Sequence, residues 1–191
     1  KGAPTIWPQA PGNIAFTTEL GDRRKTEAAF AKAAKVVELK LVNQRLVTNY
    51  LDTRGALAEY DAAADHVTLT VPSQGTHLIR EVLCDAVLRM PAEKMRVITP
   101  DVGGGFGTKF FPYREYALAV IAAKTLKRPG RWVADRMDHF LADTQGRDNI
   151  TTARLAVDAR GRFLALDVDT LADMGASLSL FAPYIPGLGA E

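Results

Sequence analysis

Apolar positions recur along this chain with two different periods, and the switches between them mark the elements. From His77 to Met90 the apolar residues Leu78, Ile79, Val82, Leu83, Ala86, Val87 and Met90 fall on one helical face, and Pro91 stops the run. Pro112 to Leu126 reads as the second main helix, with Pro112 suited to a first helical turn and Arg128-Pro129-Gly130 ending it. A shorter helix is expected from Thr26 to Ala34, with Thr26 as its N-cap, and a helical turn over Met137 to Ala142. Period-two alternation predicts strands over Val36–Val47 (interrupted at Asn43 and Gln44), Gly55–Asp61, His66–Val71, Met95–Thr99 and Arg131–Ala134. Asn149–Asp158 and Phe163–Ala172 alternate around Asp158-Ala159-Arg160-Gly161, which predicts a hairpin. Together these elements make an α+β fold of mixed sheets, with long strands and hairpins packed by two main helices. The Pro-rich lead, residues 1–25, reads as an extended linker lying on a neighbouring domain, and 26–191 as domain, with a sub-boundary expected near 127–147.

One loop stands apart from this pattern. Asp101-Val102-Gly103-Gly104-Gly105-Phe106-Gly107-Thr108-Lys109 joins a strand-like run to a helix-like one and holds four glycines in five positions. Without a Cβ the backbone can turn with φ above zero and approach a ligand closely, and its N–H groups beside a helix start can hold an anion. A tight strand-to-helix turn that binds nothing explains the same residues. Spacing excludes two familiar phosphate loops. Gly107 is followed by Thr108-Lys109-Phe110 rather than Lys-Ser/Thr, and Thr108 stands where a dinucleotide fingerprint needs its third Gly.

With its flanks, the loop resembles the molybdenum-binding large subunit of the xanthine dehydrogenase, aldehyde oxidase and carbon monoxide dehydrogenase family, the molybdenum hydroxylases. The resemblance is carried, in the family's order, by Asn43-Gln44-Arg45-Leu46-Val47, Arg54-Gly55-Ala56-Leu57-Ala58-Glu59-Tyr60-Asp61 and Ser73-Gln74, then by Pro100 to Lys109. Arg128-Pro129 leading to Trp132, Asp135 and Arg136 follows, then Gly146-Arg147-Asp148 and Ala172-Asp173-Met174-Gly175-Ala176. The resemblance implies a fragment of the molybdenum cofactor-binding domain. It further implies that Gln74 donates a hydrogen bond to the apical oxo group of molybdenum without ligating the metal, and that the Gly105, Phe106 and Gly107 backbone passes beside the pterin. Phe106 would wall that site, and Arg147 follows a family pattern near the cofactor. A bland alternative stands beside each: a helix-cap glutamine, a core phenylalanine, and a salt-bridge role for Arg147 and Arg54.

The same resemblance implies oxidative hydroxylation of a small molecule by a molybdenum–molybdopterin cofactor in dinucleotide form. Electrons would pass to 2Fe-2S and FAD groups on partner subunits or domains, and the rest of the large subunit would be a further partner. Family large subunits are several times longer than this chain. The ends Lys1-Gly2-Ala3-Pro4 and Gly187-Leu188-Gly189-Ala190-Glu191 therefore read as cuts within a larger protein. The family's base glutamate and the cysteine loop of carbon monoxide dehydrogenase are expected beyond Glu191, so no catalytic residue is assigned here and the isolated piece is expected to be inactive. Phe110 replaces a glutamate of the purine-oxidising members, which disfavours xanthine and leaves aldehydes, N-heterocycles and carbon monoxide.

Composition narrows the remaining choices. A net charge of only +2, with 24% charged and 47% hydrophobic residues, argues against nucleic-acid or anionic-membrane binding, and no apolar run reaches the ~18–20 residues of a bilayer span. A cytoplasmic setting is expected. The single Cys84 sits in a helical apolar context and permits no internal disulfide. His66, His77 and His139 show no metal spacing, and Asp135, Arg136 and Asp138 read as an ion-pair network holding a turn. A different class of function also fits these residues: a stand-alone anion- or nucleotide-binding or assembly module without catalysis.

Overall fold

The computed structural model describes residues 3–178 together with 181, 183 and 184, so the chain ends Lys1-Gly2 and Gly187 to Glu191 lie outside the described residues. The helices are α1 (Arg23–Phe30), α2 (Thr76–Val82), α3 (Arg114–Leu126) and α4 (Arg136–Ala142). The strands are β1 (Lys35–Asn43), β2 (Gly55–Asp61), β3 (His66–Thr70), β4 (Met95–Ile98), β5 (Gly130–Val133), β6 (Asn149–Val157) and β7 (Phe163–Ala172). The α+β class read from the sequence holds. The chain divides into two compact units, one of residues 1–46 and 147–191, the other Val47–Gly146.

In the first unit β1, β6 and β7 form an antiparallel sheet in that order. Its register aligns Val37 with Leu155 and Leu166, and Leu39 with Ala153 and Val168, so one face carries two apolar rows. Val37, Leu39, Leu166 and Val168 are exposed. On the other face Arg154 reaches Asp167 at 3.4 Å, and its guanidinium lies 4.7 Å over the Phe30 ring of α1. The expected hairpin is present, with Asp158 Oδ1 accepting from the N–H groups of Arg160 and Arg162 and a register shift at Ala156/Val157. The first helix starts earlier than expected. Asp22, not Thr26, is its N-cap, accepting from the Lys25 N–H at 3.0 Å. Thr26 already donates to the Asp22 carbonyl and so lies inside the first turn. The strand predicted to run to Val47 ends at Asn43, where the polar pair Asn43-Gln44 interrupts the alternation.

The second unit is built on a sheet of order β4-β3-β2-β5. β2 pairs antiparallel with both β3 and β5, whereas β3 and β4 run parallel, Thr70 opposite Ile98. A parallel pair needs a crossover, and the run predicted as one helix over 77–90 supplies it. It begins at Thr76 as α2, widens into a π-helical stretch over Leu83–Leu88, and ends at Arg89, whose φ is 52°. Ala56 and Ala58 of β2, Val67 and Leu69 of β3, and Ile79, Leu83 and Cys84 of the crossover pack with Tyr116, Val120 and Ala123 of α3 in one core. Alanines on both β2 and α3 let helix and sheet approach closely. At Gly130 a Cβ would stand 2.9 Å from the Ala119 carbonyl oxygen, so only glycine fits there. α3 starts at Arg114 rather than Pro112, with Tyr113 as N-cap, and ends at Lys127 in the left-handed region (φ 51°).

α4 corrects another expectation. Asp135 and Asp138 do not form an ion-pair network. Asp135 Oδ1 accepts from the Asp138 N–H at 2.7 Å and Asp138 Oδ2 accepts from the Asp135 N–H at 3.1 Å, a capping box. Arg136 turns away to donate to the carbonyls of Tyr50 (2.8 Å) and Leu51 (2.6 Å). Asp135→Ala is expected to lower the unfolding free energy by about 1 kcal/mol, read as a shift of the urea midpoint. Among the described residues, no helix is long and apolar enough to cross a membrane.

Candidate functional site

Because β3 and β4 are parallel neighbours, their C-terminal ends leave the sheet at the same edge. Val71 N–H still donates to the Ile98 carbonyl at 3.0 Å, and Ser73 and Thr99 share a hydroxyl contact at 2.5 Å. The segment after β3 therefore carries Gln74 onto the Gly-loop that follows β4. The C-terminal edge of adjacent parallel strands is where α/β sheets commonly place ligands.

Here Gln74, Gly105 and Gly107 meet. Gln74 Oε1 accepts from the Gly107 N–H at 2.8 Å, and the Gln74 N–H donates to the Lys109 carbonyl at 3.0 Å. Since Gly107 supplies the proton, the carbonyl end of the Gln74 amide must face it, and the two NH₂ donors point elsewhere. A Cβ at residue 105 would lie 2.4 Å from Gln74 Oε1. The glycine at this position makes room for the glutamine side chain. The loop closes through Thr108 N–H to the Gly105 carbonyl (2.9 Å) and Phe110 N–H to the Gly107 carbonyl (3.2 Å). Gly104 (φ 100°), Phe106 (φ 49°) and Gly107 (φ 90°) are left-handed. No described residue accepts from the N–H groups of Gly104, Gly105 and Phe106. Successive N–H groups on a backbone of alternating handedness form a concave donor surface.

Phe106 is not a core residue: it is 72% exposed, held in a conformation that a bulky side chain adopts only under constraint. Arg147 belongs to the other unit, is exposed, and has a φ of 74°. The salt bridges expected at that block are made by its neighbour: Asp148 accepts from Arg45 Nε at 2.8 Å, and Arg45 also reaches Asp173 at 3.2 Å. Arg54 is fully buried and engaged, with Nε 2.5 Å from Asp143, Nη1 3.0 Å from Glu115, and its guanidinium 3.7 Å over the Tyr113 ring. These are the ion pairs of the salt-bridge reading. Cys84 is buried, as expected.

Beneath the loop lies a layer of polar residues, of which Tyr50, Asp52 and Asp143 carry no signal in the sequence. Lys109, fully buried, donates to the Asp52 carbonyl (2.9 Å) and to Asp52 Oδ1 (2.7 Å), and its ammonium sits 4.3 Å over the Tyr50 ring. Burial pulls that ammonium below the usual lysine range, while the bond and charge of Asp52 push back. Asp143 joins Arg54, the Tyr50 hydroxyl and His139 Nδ1. Burial raises its carboxyl to about 6, which is still below neutral pH, so it is charged there beside Arg54. His139 is a buried structural histidine, held below the ordinary range first by burial and then by the Arg136 charge. In the sequence Lys109 closes the loop motif and Arg54 opens a block of the resemblance. Nothing marks Asp52 or Asp143.

Residues 6–190 match the family described as molybdopterin cofactor-binding domain. The chain belongs to that family. It is 37% identical over 164 residues to the carbon monoxide dehydrogenase large chain of Afipia carboxidovorans, covering 86% of this chain and 20% of that protein. To the nicotine 6-hydroxylase large subunit of Paenarthrobacter nicotinovorans it is 32% identical over 178 residues, 92% of this chain and 21% of the relative. Among solved structures, CO dehydrogenase from Oligotropha carboxidovorans superposes with a TM-score of 0.73 at 37% identity, covering 80% of this chain and 19% of that one. Quinoline 2-oxidoreductase from Pseudomonas putida 86 gives 0.69 at 33% identity, over 76% and 18%. The chain thus spans about a fifth of the length of the curated relatives it matches. The resemblance to molybdenum hydroxylase large subunits holds, and membership of the molybdopterin cofactor-binding domain family agrees with the α+β fold.

Proposed function

We propose that this chain supplies part of the molybdenum–pterin cradle of a molybdenum hydroxylase large subunit, acting on an aldehyde, an N-heterocycle or carbon monoxide. The observation that carries this reading is the fixed Gln74 amide. Its carbonyl is tied to the Gly107 N–H, so its two remaining protons are free to donate to an oxygen-rich ligand beside the N–H groups of Gly104, Gly105 and Phe106, which have no acceptor among the described residues. That donor set suits a metal-oxo and pterin group. When bound, the group supplies the oxidation chemistry. The residues of this chain bind and orient it, with the exposed Phe106 ring shielding one side from water. Arg147 remains a proposed further contact.

The electrons released by hydroxylation would leave through iron–sulfur and flavin carriers on partner subunits or domains, in the cytoplasm. The base and substrate-side loop would come from other segments of the protein, so this chain alone is expected to show no turnover. Phe110 offers no hydrogen bond to a purine edge, consistent with activity on the substrates named above and none on xanthine.

Gln74→Ala in the complete gene product tests the reading. Cofactor affinity should fall about 10–100-fold, as for other residues that orient a metal group without ligating it, with the far-UV spectrum unchanged. Molybdenum content and hydroxylation equal to wild type would sink it. A non-catalytic anion-binding module rests on the same loop amides. It predicts binding of inorganic phosphate that the Gln74 substitution leaves intact, in a gene product carrying no molybdenum.

A further inference from the structure

The Gly-loop touches three separate supports. A Cβ at Gly103 would fall 2.5 Å from Asp52 Oδ1, one at Gly104 would fall 3.1 Å from Tyr50 Cβ, and one at Gly105 would meet Gln74. Residues 50–52 thus form the bed on which the first two glycines lie, and the Leu51 N–H donates to the Gly103 carbonyl at 2.9 Å. That bed has no sheet ladder of its own. It is held from outside by Arg136 on the carbonyls of Tyr50 and Leu51 and by Lys109 on Asp52. Lys109 also belongs to the loop, being two residues past Gly107. Two of its three N–H donors go to Asp52 and its charge rests on the Tyr50 ring, so one side chain ties the C-terminal end of the loop to the bed beneath its N-terminal end. A lysine ammonium is seldom fully buried without such a partner set.

We propose that Lys109 is a positioning residue for the cofactor: its bridge to Asp52 and Tyr50 closes the Gly-loop into the curve that keeps the Gly107 N–H on Gln74 and the loop amides facing outward. This rests on the reading of Gln74 and the loop as a cofactor cradle. Lys109 touches neither cofactor nor substrate in this role. It acts through the backbone it holds.

The test is amide hydrogen exchange, combined with molybdenum and pterin content, in the complete gene product carrying Lys109→Met. The double variant Lys109→Met/Asp52→Asn removes the carboxylate charge that the first would leave unpaired, and so remains informative where the single variant folds poorly. In both, the Leu51, Gly107 and Thr108 amides are expected to exchange about tenfold faster or more, the change that loss of one charge-assisted hydrogen bond corresponds to. The amides of β2 and β3 should keep their protection, and cofactor content should fall. Unchanged exchange at residues 51, 107 and 108 would overturn the proposal, and so would equal acceleration across the sheet, which marks loss of general stability. The two ideas fail separately. Faster loop exchange in Lys109→Met, with normal cofactor content in Gln74→Ala, removes the cradle reading and leaves Lys109 only its hold on the loop. Normal loop exchange in Lys109→Met, with cofactor lost in Gln74→Ala, removes only the role of Lys109.

Discussion

Arg54→Met is expected to lower the unfolding free energy of the Val47–Gly146 unit by about 3–5 kcal/mol. The methionine keeps most of the aliphatic stem, so the loss reports the guanidinium: its two ion pairs and its stacking on the Tyr113 ring. Wild-type Arg54 is 0% exposed and satisfies two carboxylates, Asp143 at 2.5 Å and Glu115 at 3.0 Å. Without it, Asp143 stays buried with only the Tyr50 hydroxyl and His139 as partners. The pH dependence gives a second check. Burial already raises the Asp143 carboxyl to about 6, and loss of the guanidinium raises it further. A folded value above the unfolded one means that the native state keeps a proton the unfolded chain releases, so stability falls as pH climbs through the folded value. The deficit in Arg54→Met should therefore deepen between pH 5 and pH 8 in urea unfolding. A loss below about 1 kcal/mol with no pH dependence would place the pair among exposed ones, contrary to its burial.

Gly105→Val is expected to reduce cofactor binding about 10–100-fold while leaving the fold in place. The three atoms that a Cβ would meet all belong to Gln74, at 2.4, 2.7 and 2.8 Å, so the glutamine must swing aside and the Gly107 N–H loses its acceptor. Gly105 itself lies outside the left-handed region, so the backbone tolerates a side chain, and overpacking should cost about 1–3 kcal/mol. Combining the substitution with Gln74→Ala separates the two effects. Truncating Gln74 opens the space, so the double variant should recover the stability lost in Gly105→Val while its molybdenum content stays low. A double variant with wild-type molybdenum content would show that the Gln74 amide contributes nothing to the site.

The elements were largely legible because periodicity is a local property. β2 and β7 begin and end where their alternation does, and the hairpin turn follows from Asp158 and Gly161. The errors fall where two local signals compete. Asp22 and Thr26 are both good N-caps, and only Asp22 is followed by N–H groups with no carbonyl one turn back in the helix to take them. Asp135 and Asp138 carry the spacing of a capping box, yet beside Arg136 they read equally well as an ion-pair cluster. The widening of the crossover helix over Leu83–Leu88 leaves the apolar face intact, so nothing in its pattern marks it.

By itself, the sequence determined the α+β class, the family, and a glycine-rich loop that neither common phosphate motif explains, since each depends on residues close together in the chain. Tertiary structure alone decided that the loop has a partner. Pairing of Thr70 with Ile98 in parallel brings Gln74 onto Gly105 and Gly107, and no local pattern encodes which strands become neighbours. It also decided that Lys109, Arg54 and Asp143 lie inside. Charged side chains default to solvent, and only a counter-charge supplied by a distant segment makes the interior favourable for them.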